Sequence, residues 1–212
     1  KSSKLVVLGG YTGSGKTDIL KFLEKSGEQF LDIEGIAHHK GSAFGRLGQK
    51  EQPTNEQFEN NLEDRWRRFY LNRIIWVEDE SRVLGSCSIN DPLIRKMRTG
   101  ILVKIIIPKS ERIKRLDKEY GGFDKTSLLE SIEKIRQRMG GLAVKQASEA
   151  LEKNDLMEVA DLTLTYYDKT YSHQNADKVP SQVVEIEMEK DDPISTARKL
   201  SEVSGELFFD SN

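Results

Sequence analysis

The chain has 212 residues, of which 36% are hydrophobic and 32% charged, and its mean hydropathy is −0.59. The net charge is −2, and no apolar run approaches the roughly 20 residues that a membrane-spanning helix needs. These values exclude the fibrous and membrane classes, and we predict neither a membrane nor DNA as a partner. The single cysteine, Cys87, cannot form an internal disulfide, so we expect a cytoplasmic protein in which Cys87 is a small strand or loop residue.

Short apolar runs alternate with helical patterns along the chain. The apolar runs predict five strands, at residues 4–8, 30–33, 74–77, 102–107 and 182–188. Apolar spacings of three and four residues predict helices between these strands, at residues 16–25, 55–72 and 111–120 and after residue 192. Strands separated by helices predict an α/β fold with a parallel sheet.

Polar residues and irregular stretches mark where these elements begin and end. The expected helix starts are a capping box at Thr54 and Gln57, an N-cap at Asp91 before Pro92, and caps at Ser110 and Asp192. Residues 34–53 lack periodicity and predict a long functional loop. Residues 110–160 predict a helical, lid-like insertion in a single domain of residues 1–212. Residues 161–167 fit a strand by their β-branched content and a helix by their spacing.

A glycine-rich segment follows the first predicted strand and precedes the first predicted helix. It satisfies Gly-x-x-x-x-Gly-Lys-Ser/Thr, the pattern of a P-loop, so the expected fold is P-loop NTPase-like and kinase-like, with helices flanking the sheet. In such a loop, backbone N–H groups converge on an anion at a helix N-terminus, a lysine adds positive charge and a hydroxyl reaches Mg²⁺. The residues predicted to bind a phosphate-bearing ligand are Gly10, Thr12, Gly13, Ser14, Gly15, Lys16 and Thr17.

Carboxylates follow two of the predicted strands. Glu78 and Asp79 end the apolar run of residues 74–77, and Asp32 and Glu34 come at or after the end of the preceding strand. Ligands of open α/β sheets bind at this edge, so we predict Thr17 and Glu78 as Mg²⁺ ligands and Lys16, Glu34 and Glu78 as catalytic candidates. The alternative is that these carboxylates are solvated or form salt bridges.

Three groups of mostly basic residues predict contacts with an anion. They are Arg65, Arg68 and Arg73 on the predicted helix 55–72, His39, Lys40 and Ser42 in the loop, and Arg112, Arg115, Arg136 and Arg138 in the lid-like insertion. For the arginines the alternative is a solvated basic face. Arg67 points away from the other arginines of its helix, and an exposed loop histidine such as His38 or His39 is usually not a ligand.

Four segments resemble the P-loop domain of tRNA 2-selenouridine synthase: GGYTGSGKT, LDIEGIAHHKGSAFG, WVEDESRVLG and YYDKTY. The resemblance implies that Gly13, Gly15, Lys16 and Thr17 hold a phosphate or diphosphate, bordered by the HHKGS loop and the acidic strand end. Tyr166, Tyr167, Asp168 and Tyr171 belong to the fourth segment, whose aromatic rings offer surfaces for RNA bases or pack into the core.

The resemblance also implies an activity for the whole enzyme. It replaces sulfur by selenium in wobble 2-thiouridine of tRNA, using selenophosphate and a geranylated intermediate made from geranyl diphosphate, together with a rhodanese-like domain in cis or in trans. The residues alone leave two other classes open, a small-molecule kinase using ATP and a nucleotide-dependent RNA-binding module. The ligand of the P-loop is accordingly geranyl diphosphate, selenophosphate, ATP or GTP.

Overall fold

The computed structural model describes residues 4–175 and 178–207, so the predicted domain limits at residues 1 and 212 lie outside the described residues. The strands are β1 (Lys4–Gly10), β2 (Gln29–Leu31), β3 (Ile74–Glu78), β4 (Val83–Leu84), β5 (Cys87–Ser88), β6 (Ile101–Ile106) and β7 (Gln182–Glu187). The helices are α1 (Lys16–Lys25), α2 (Ile33–Ala37), α3 (Asn55–Arg67), α4 (Asp91–Thr99), α5 (Lys109–Tyr120), α6 (Lys125–Glu133), α7 (Arg136–Met139), α8 (Gly141–Glu152), α9 (Leu156–Asn175) and α10 (Pro193–Glu206).

Five strands form one parallel sheet in the order β2-β3-β1-β6-β7. All five therefore end at the same edge, called here the carboxyl edge, and begin at the opposite amino edge. The five helices α5 to α9 lie between β6 and β7, so the helical insertion extends to Asn175 rather than to residue 160. The predicted α/β fold with a flanked parallel sheet is confirmed. None of the described helices is long and apolar enough to cross a membrane.

Alternating side chains of β1 contribute to two separate cores. Leu5 and Val7 pack with α2, α3 and α4, whereas Val6 and Leu8 pack with α1 and α10 on the other face. A third core lies within the insertion and includes Phe44 from the loop after α2. The sheet is thus covered on both faces, and the loop after α2 is anchored to the insertion across the carboxyl edge.

Side-chain hydrogen bonds shorten two predicted elements. β2 ends at Leu31 because the Asp32 carboxylate accepts the Gly35 N–H at 2.7 Å and starts α2, so Ile33 is helical rather than extended. The predicted loop 34–53 therefore opens with a helix. α3 ends at Arg67 rather than near residue 72, because the side chain of Gln29 accepts the Tyr70 N–H at 2.6 Å and donates to the Tyr70 carbonyl at 3.1 Å.

Two predicted helix caps are wrong by one or two residues. Asn90, not Asp91, caps α4, with its side-chain oxygen accepting the Leu93 N–H at 3.1 Å. Pro108, not Ser110, precedes α5, and its carbonyl accepts the first N–H groups of that helix. The predicted caps at Thr54 and Asp192 are confirmed, although Gln57 donates its side-chain amide to Asn61 instead of completing a capping box.

The sequence left the structure of residues 161–167 open and did not lead us to predict the β4–β5 hairpin. Residues 161–167 are helical within α9, where Thr163 and Thr165 donate their hydroxyls to carbonyls one turn earlier, which accommodates their β-branched side chains. β4 and β5 form a hairpin around Gly85, whose φ of 61° suits a tight turn. Cys87 is buried in this hairpin, in agreement with the prediction that it is a small strand residue, and burial raises the pKa of its thiol.

The cap of α4 provides a test of the fold. Replacing Asn90→Ala removes the acceptor for the Leu93 N–H and is expected to lower the free energy of unfolding by about 1 kcal/mol. Asn90→Ser keeps a side-chain oxygen and is expected to stay within a few tenths of a kcal/mol of wild type. Urea unfolding measures both, and equal stability of the two variants would contradict the cap.

Candidate functional site: a phosphate-binding cleft at the carboxyl edge

The P-loop connects β1 to α1 at the carboxyl edge. Gly10, Gly13 and Gly15 adopt φ angles of 151°, 80° and 70°, which favour glycine. Gly15 precedes α1, and no side chain caps this helix, so its first N–H groups have no intrahelical partner and remain available to an anion. The loop therefore has the backbone geometry of a phosphate cradle.

Side chains hold this loop in place. Lys16 donates from Nζ to the Gly10 carbonyl at 3.0 Å, so its ammonium group spans the loop. Ser14 is buried and donates its hydroxyl to the Tyr11 carbonyl at 2.7 Å. A Cβ on Gly10 would lie 2.7 Å from the Ser14 hydroxyl, so glycine is required there on steric grounds as well. These contacts fix the backbone of the cradle.

Thr17 lies between two carboxyl groups. Its Oγ1 is 2.6 Å from Oε1 of Glu78 and 3.1 Å from Oε2 of Glu34, but one hydroxyl hydrogen serves only one acceptor at a time. Glu78 is fully buried, and its Oε2 has no hydrogen-bond partner in the described part of the chain. This buried oxygen and the Thr17 hydroxyl fit the ligand set of a Mg²⁺ ion that completes its shell with water and phosphate oxygens.

A third carboxyl group, that of Glu80, joins this cluster. Burial, and then the charges of Glu34 and Glu80, raise the pKa of Glu78 well above its usual value. Burial and the charge of Glu34 raise the pKa of Glu80 to about 8. Burial also raises the pKa of Glu34, although Lys16 and Thr17 oppose the shift. Burial and mutual repulsion therefore favour the protonated forms of these carboxyl groups. Among residues 4–175 and 178–207, no three acidic, histidine or cysteine side chains form a complete metal cage.

The P-loop forms one wall of a cleft of about 980 Å³. The opposite wall is the loop after α2, and the insertion helices α5, α7 and α9 close the side. Lys40 in this loop forms an ion pair with Glu119, and the Ala43 N–H donates to the Tyr167 hydroxyl at 3.1 Å. The predicted residues Lys40 and Ser42 thus line the cleft.

The two histidines do not point into the cleft. The His38 ring nitrogen lies 2.7 Å from the Glu51 carbonyl oxygen. Nδ1 of His39 accepts the Gly41 N–H at 3.2 Å, so His39 fixes the turn that carries the cleft-lining residues. Burial, followed by the nearby charges of Lys134 and Arg46, lowers the pKa of His39. Its predicted anion-binding role stays a prediction.

The acidic end of β3 divides between two tasks. Glu78 contacts Thr17, whereas Asp79 accepts a hydrogen bond from the Tyr171 hydroxyl at 3.0 Å and pairs with Lys178. The same Tyr171 oxygen accepts the Gly10 N–H at 3.0 Å. The aromatic segment of α9 is therefore attached directly to the first glycine of the P-loop.

Arg112 and Arg115 connect the insertion to the P-loop. Arg112 is buried, binds both carboxylate oxygens of Asp168 at 2.8 Å and donates to the Thr12 carbonyl at 3.1 Å. Arg115 binds Asp191 at 2.9 Å through two nitrogens and Asp18 at 2.6 Å. Both arginines therefore brace the loop, and only Arg115 also lines the cleft.

The other predicted lid arginines differ in position. Arg138 lines the cleft, whereas Arg136 pairs with Glu133 at 2.6 Å on the surface of α7. Their roles as anion ligands stay predictions.

The arginines around α3 lie far from the cleft. Arg73 immediately precedes β3, so it lies at the amino edge, where it donates to the Gly27 carbonyl at 2.6 Å. Arg65 pairs with Glu24 and donates to the Phe30 carbonyl at 3.1 Å, while Arg68 has no ion pair among the described side chains. The structure thus does not bring Arg65, Arg68 and Arg73 to the P-loop, and their contact with tRNA stays a prediction.

Sequence reasoning missed several cleft residues. Glu80 follows Glu78 by two positions, a spacing that places it on the same side of an extended chain, so a signal was present. Lys21, Lys118 and Lys134 also line the cleft, but they come from three separate elements and no local pattern unites them.

The carboxyl cluster generates a pH prediction for the ligand-free protein in EDTA. A carboxyl group whose pKa is raised by folding stabilises the fold below its unfolded pKa, and this contribution is lost as the pH rises through the folded pKa. Between about pH 5 and pH 8 we therefore expect the melting temperature to fall by at least about 2 to 4 °C, or about 1 kcal/mol. Differential scanning calorimetry across this range measures the change.

Two variants make the assignment specific. Glu80→Gln is expected to reduce the change of the melting temperature with pH, because it removes a carboxyl group whose pKa is raised to about 8. Glu130→Gln, at an exposed position on α6, is expected to leave the dependence as in wild type. If the melting temperature of the wild type does not change across this pH range, ionisation of the carboxyl cluster does not destabilise the fold.

Comparison with known proteins identifies the family of this domain. A family model described as the tRNA 2-selenouridine synthase AAA domain matches residues 3–195. The tRNA 2-selenouridine synthases of Hahella chejuensis and Shewanella sediminis are each 33% identical to the chain, over 205 and 215 residues. These alignments cover 82% and 87% of this chain but 53% and 57% of the relatives, so the chain spans about half the length of the curated relatives that it matches.

Solved structures are more distant. Shikimate kinases from Bacteroides thetaiotaomicron and Acinetobacter baumannii are 18% and 17% identical, with TM-scores of 0.40 and 0.42. The alignments cover 95% and 98% of this chain and 98% and 96% of those chains, and at such scores they carry no argument about chemistry. The family model and the curated relatives are decisive: the chain belongs to the tRNA 2-selenouridine synthase AAA domain family.

Proposed function

We propose that this domain binds the diphosphate group of geranyl diphosphate within a cytoplasmic enzyme that converts wobble 2-thiouridine of tRNA to 2-selenouridine. Family membership and the names of the relatives support the tRNA substrate. The observation that carries the diphosphate assignment is the preformed cradle, in which the uncapped N-terminus of α1 and the Lys16 ammonium group share one loop. Selenophosphate and a rhodanese-like domain, in cis or in trans, complete the proposed reaction.

The proposed step is transfer of the geranyl group to sulfur. The thiouridine sulfur attacks the first carbon of the geranyl chain and a C–S bond forms. The C–O bond to diphosphate breaks with its electron pair leaving on the diphosphate, and the thiouridine releases its N3 proton. Negative charge grows on that leaving group, so donors that already face it lower the barrier. The backbone N–H groups at the start of α1 and the Lys16 ammonium group are suited to this task.

The carboxyl cluster suits a divalent cation beside the diphosphate. Thr17 and Glu78 would hold Mg²⁺, which screens the charge of the leaving group when it is bound. The orphaned Oε2 of Glu78 supports this assignment, because a buried carboxylate oxygen without a donor is costly. Glu34, on the other side of the Thr17 hydroxyl, would accept the hydrogen bond that Glu78 gives up.

Ligand titration tests the diphosphate assignment. Geranyl diphosphate, selenophosphate, ATP and GTP are titrated separately by isothermal calorimetry, and we expect geranyl diphosphate to bind most tightly. Lys16→Ala removes a charge-assisted contact worth about 1.5 to 3 kcal/mol, so affinity should fall roughly 10- to 150-fold. Lys25→Ala, at the exposed far end of α1, serves as the matched control. Unchanged affinity in Lys16→Ala would remove the ligand from the P-loop, and tighter binding of ATP would favour a kinase.

The cation is tested by the same titration with and without Mg²⁺. We expect Mg²⁺ to strengthen diphosphate binding in wild type and to do so much less in Glu78→Gln, which keeps the shape of the side chain but removes its charge. Glu130→Gln is the control for loss of one carboxylate. If EDTA leaves the wild-type affinity untouched, the diphosphate is neutralised by the protein alone.

A further inference from the structure

We infer that the mouth of the P-loop cleft docks a single-stranded RNA loop, with a cationic rim holding its phosphates and the Tyr166 ring stacking on an unpaired base. The cationic rim is Lys21, Lys118, Lys134 and Arg138. This inference rests on the proposed function and locates its RNA partner on the surface.

The cationic rim is not neutralised by the described residues. Its four residues are exposed, line the cleft and come from α1, α5, α7 and the end of α6. None of their side chains forms an ion pair or hydrogen bond with the part of the chain that the structure describes. By contrast, the α3 arginines Arg65 and Arg67 both pair with glutamates. Free cations on several elements around one opening are the electrostatic pattern that a phosphate backbone requires.

The carboxylates of the cleft do not cancel this charge. Asp18 and Asp191 pair with Arg115, and Glu119 pairs with Lys40. Asp79, which also lines the cleft, pairs with Lys178. The four rim cations therefore keep side chains without an ionic partner in the described part of the chain, although the whole chain has a net charge of −2.

Aromatic rings stand beside the rim. Tyr166 and Tyr167 line the cleft with ring centroids 4.9 Å apart, and the Ala43 N–H fixes the Tyr167 hydroxyl. A partly exposed ring on a rigid helix is a platform for stacking by an unpaired base. The same rings are packed against the insertion core, so the two roles that the sequence left open are compatible.

The size of the cleft favours a single strand. A volume of about 980 Å³ exceeds what one diphosphate group fills and leaves room for a nucleoside beside it. Bases inside a duplex are stacked and do not reach such a pocket, whereas loop bases are free to enter. The RNA partner that fits is a hairpin with an unpaired loop.

The test compares a fluorescent RNA hairpin with a blunt duplex of the same stem across a salt series, by fluorescence anisotropy on the full chain. We expect the hairpin to bind more tightly than the duplex. Lys134→Gln with Arg138→Gln should reduce the slope of log affinity against log salt by about 1.4, or about 0.7 for each lost contact. Arg95→Gln with Arg98→Gln, exposed on α4, removes the same charge and should leave the slope at its wild-type value.

Three further variants complete the test. Tyr166→Leu should weaken hairpin binding roughly 5- to 150-fold without changing the salt slope, and Tyr166→Phe should restore it. Arg67→Gln with Arg68→Gln tests the α3 surface. The inference is overturned if the cationic-rim variant keeps the wild-type salt slope or if the α3 variant shows the reduced slope instead. It is also overturned if the duplex binds as tightly as the hairpin.

Parallel titration with geranyl diphosphate separates this inference from the proposed function. A cationic-rim variant that loses RNA but keeps diphosphate affinity supports the inference. If Lys16→Ala keeps its diphosphate affinity while hairpin binding still depends on the cationic rim, the proposed function is wrong and the inferred RNA surface is supported.

Discussion

The buried ion pair between Arg112 and Asp168 is the interaction on which the arrangement of the cleft depends. Its guanidinium group, with a side chain that is 4% exposed, joins α5 to α9 and also donates to the Thr12 carbonyl of the P-loop. Removing one partner of such a pair costs about 3 to 5 kcal/mol, because the other charge stays buried. The position of the P-loop and the position of the insertion are therefore set by the same contact.

The carboxyl cluster conflicts with the rule that buried charges are paired. Glu78 is fully buried beside Glu34 and Glu80, and one of its oxygens has no donor within the described residues. Unfavourable electrostatics of this kind persist where a ligand repays the cost, so they point to function rather than to stability. The proposed divalent cation would supply both the positive charge and the coordination that the cluster lacks, and it would screen the cluster from an anion in the adjoining cradle.

Local signals predicted most of the sheet, the P-loop and the helix caps at Thr54 and Asp192, because these depend on neighbours in sequence. Several errors arose where distant residues decide the outcome, whereas the end of β2 and the two misplaced caps were decided by residues within three positions. The Gln29 side chain, remote in sequence, ends α3, and Tyr171 reaches Gly10 across 161 positions. The sequence also does not show which arginines are free to bind an anion. Arg112 and Arg65 both lie on predicted helices, yet Arg112 is buried under the P-loop and Arg65 lies near the amino edge. The hairpin at Gly85 was missed although a two-residue glycine turn between apolar residues is a local signal.

The contacts that hold α5 and α9 against the P-loop also limit how a ligand enters the cleft. α5 contacts the P-loop at Gly13, where an added Cβ would lie 3.3 Å from both Arg112 and Leu116, and Tyr171 fixes α9 to Gly10. Swinging these helices outward would break the Arg112 pair and the Tyr171 hydrogen bonds, so α5 and α9 act as walls of the cleft rather than as a free lid. Lys40 of the loop after α2 and Arg138 of the short helix α7 are exposed and line the same cleft as Lys16. A polyanion bound in this cleft would be attracted both by Lys16 of the P-loop and by the cationic rim, so the two sets of charges favour the same ligand.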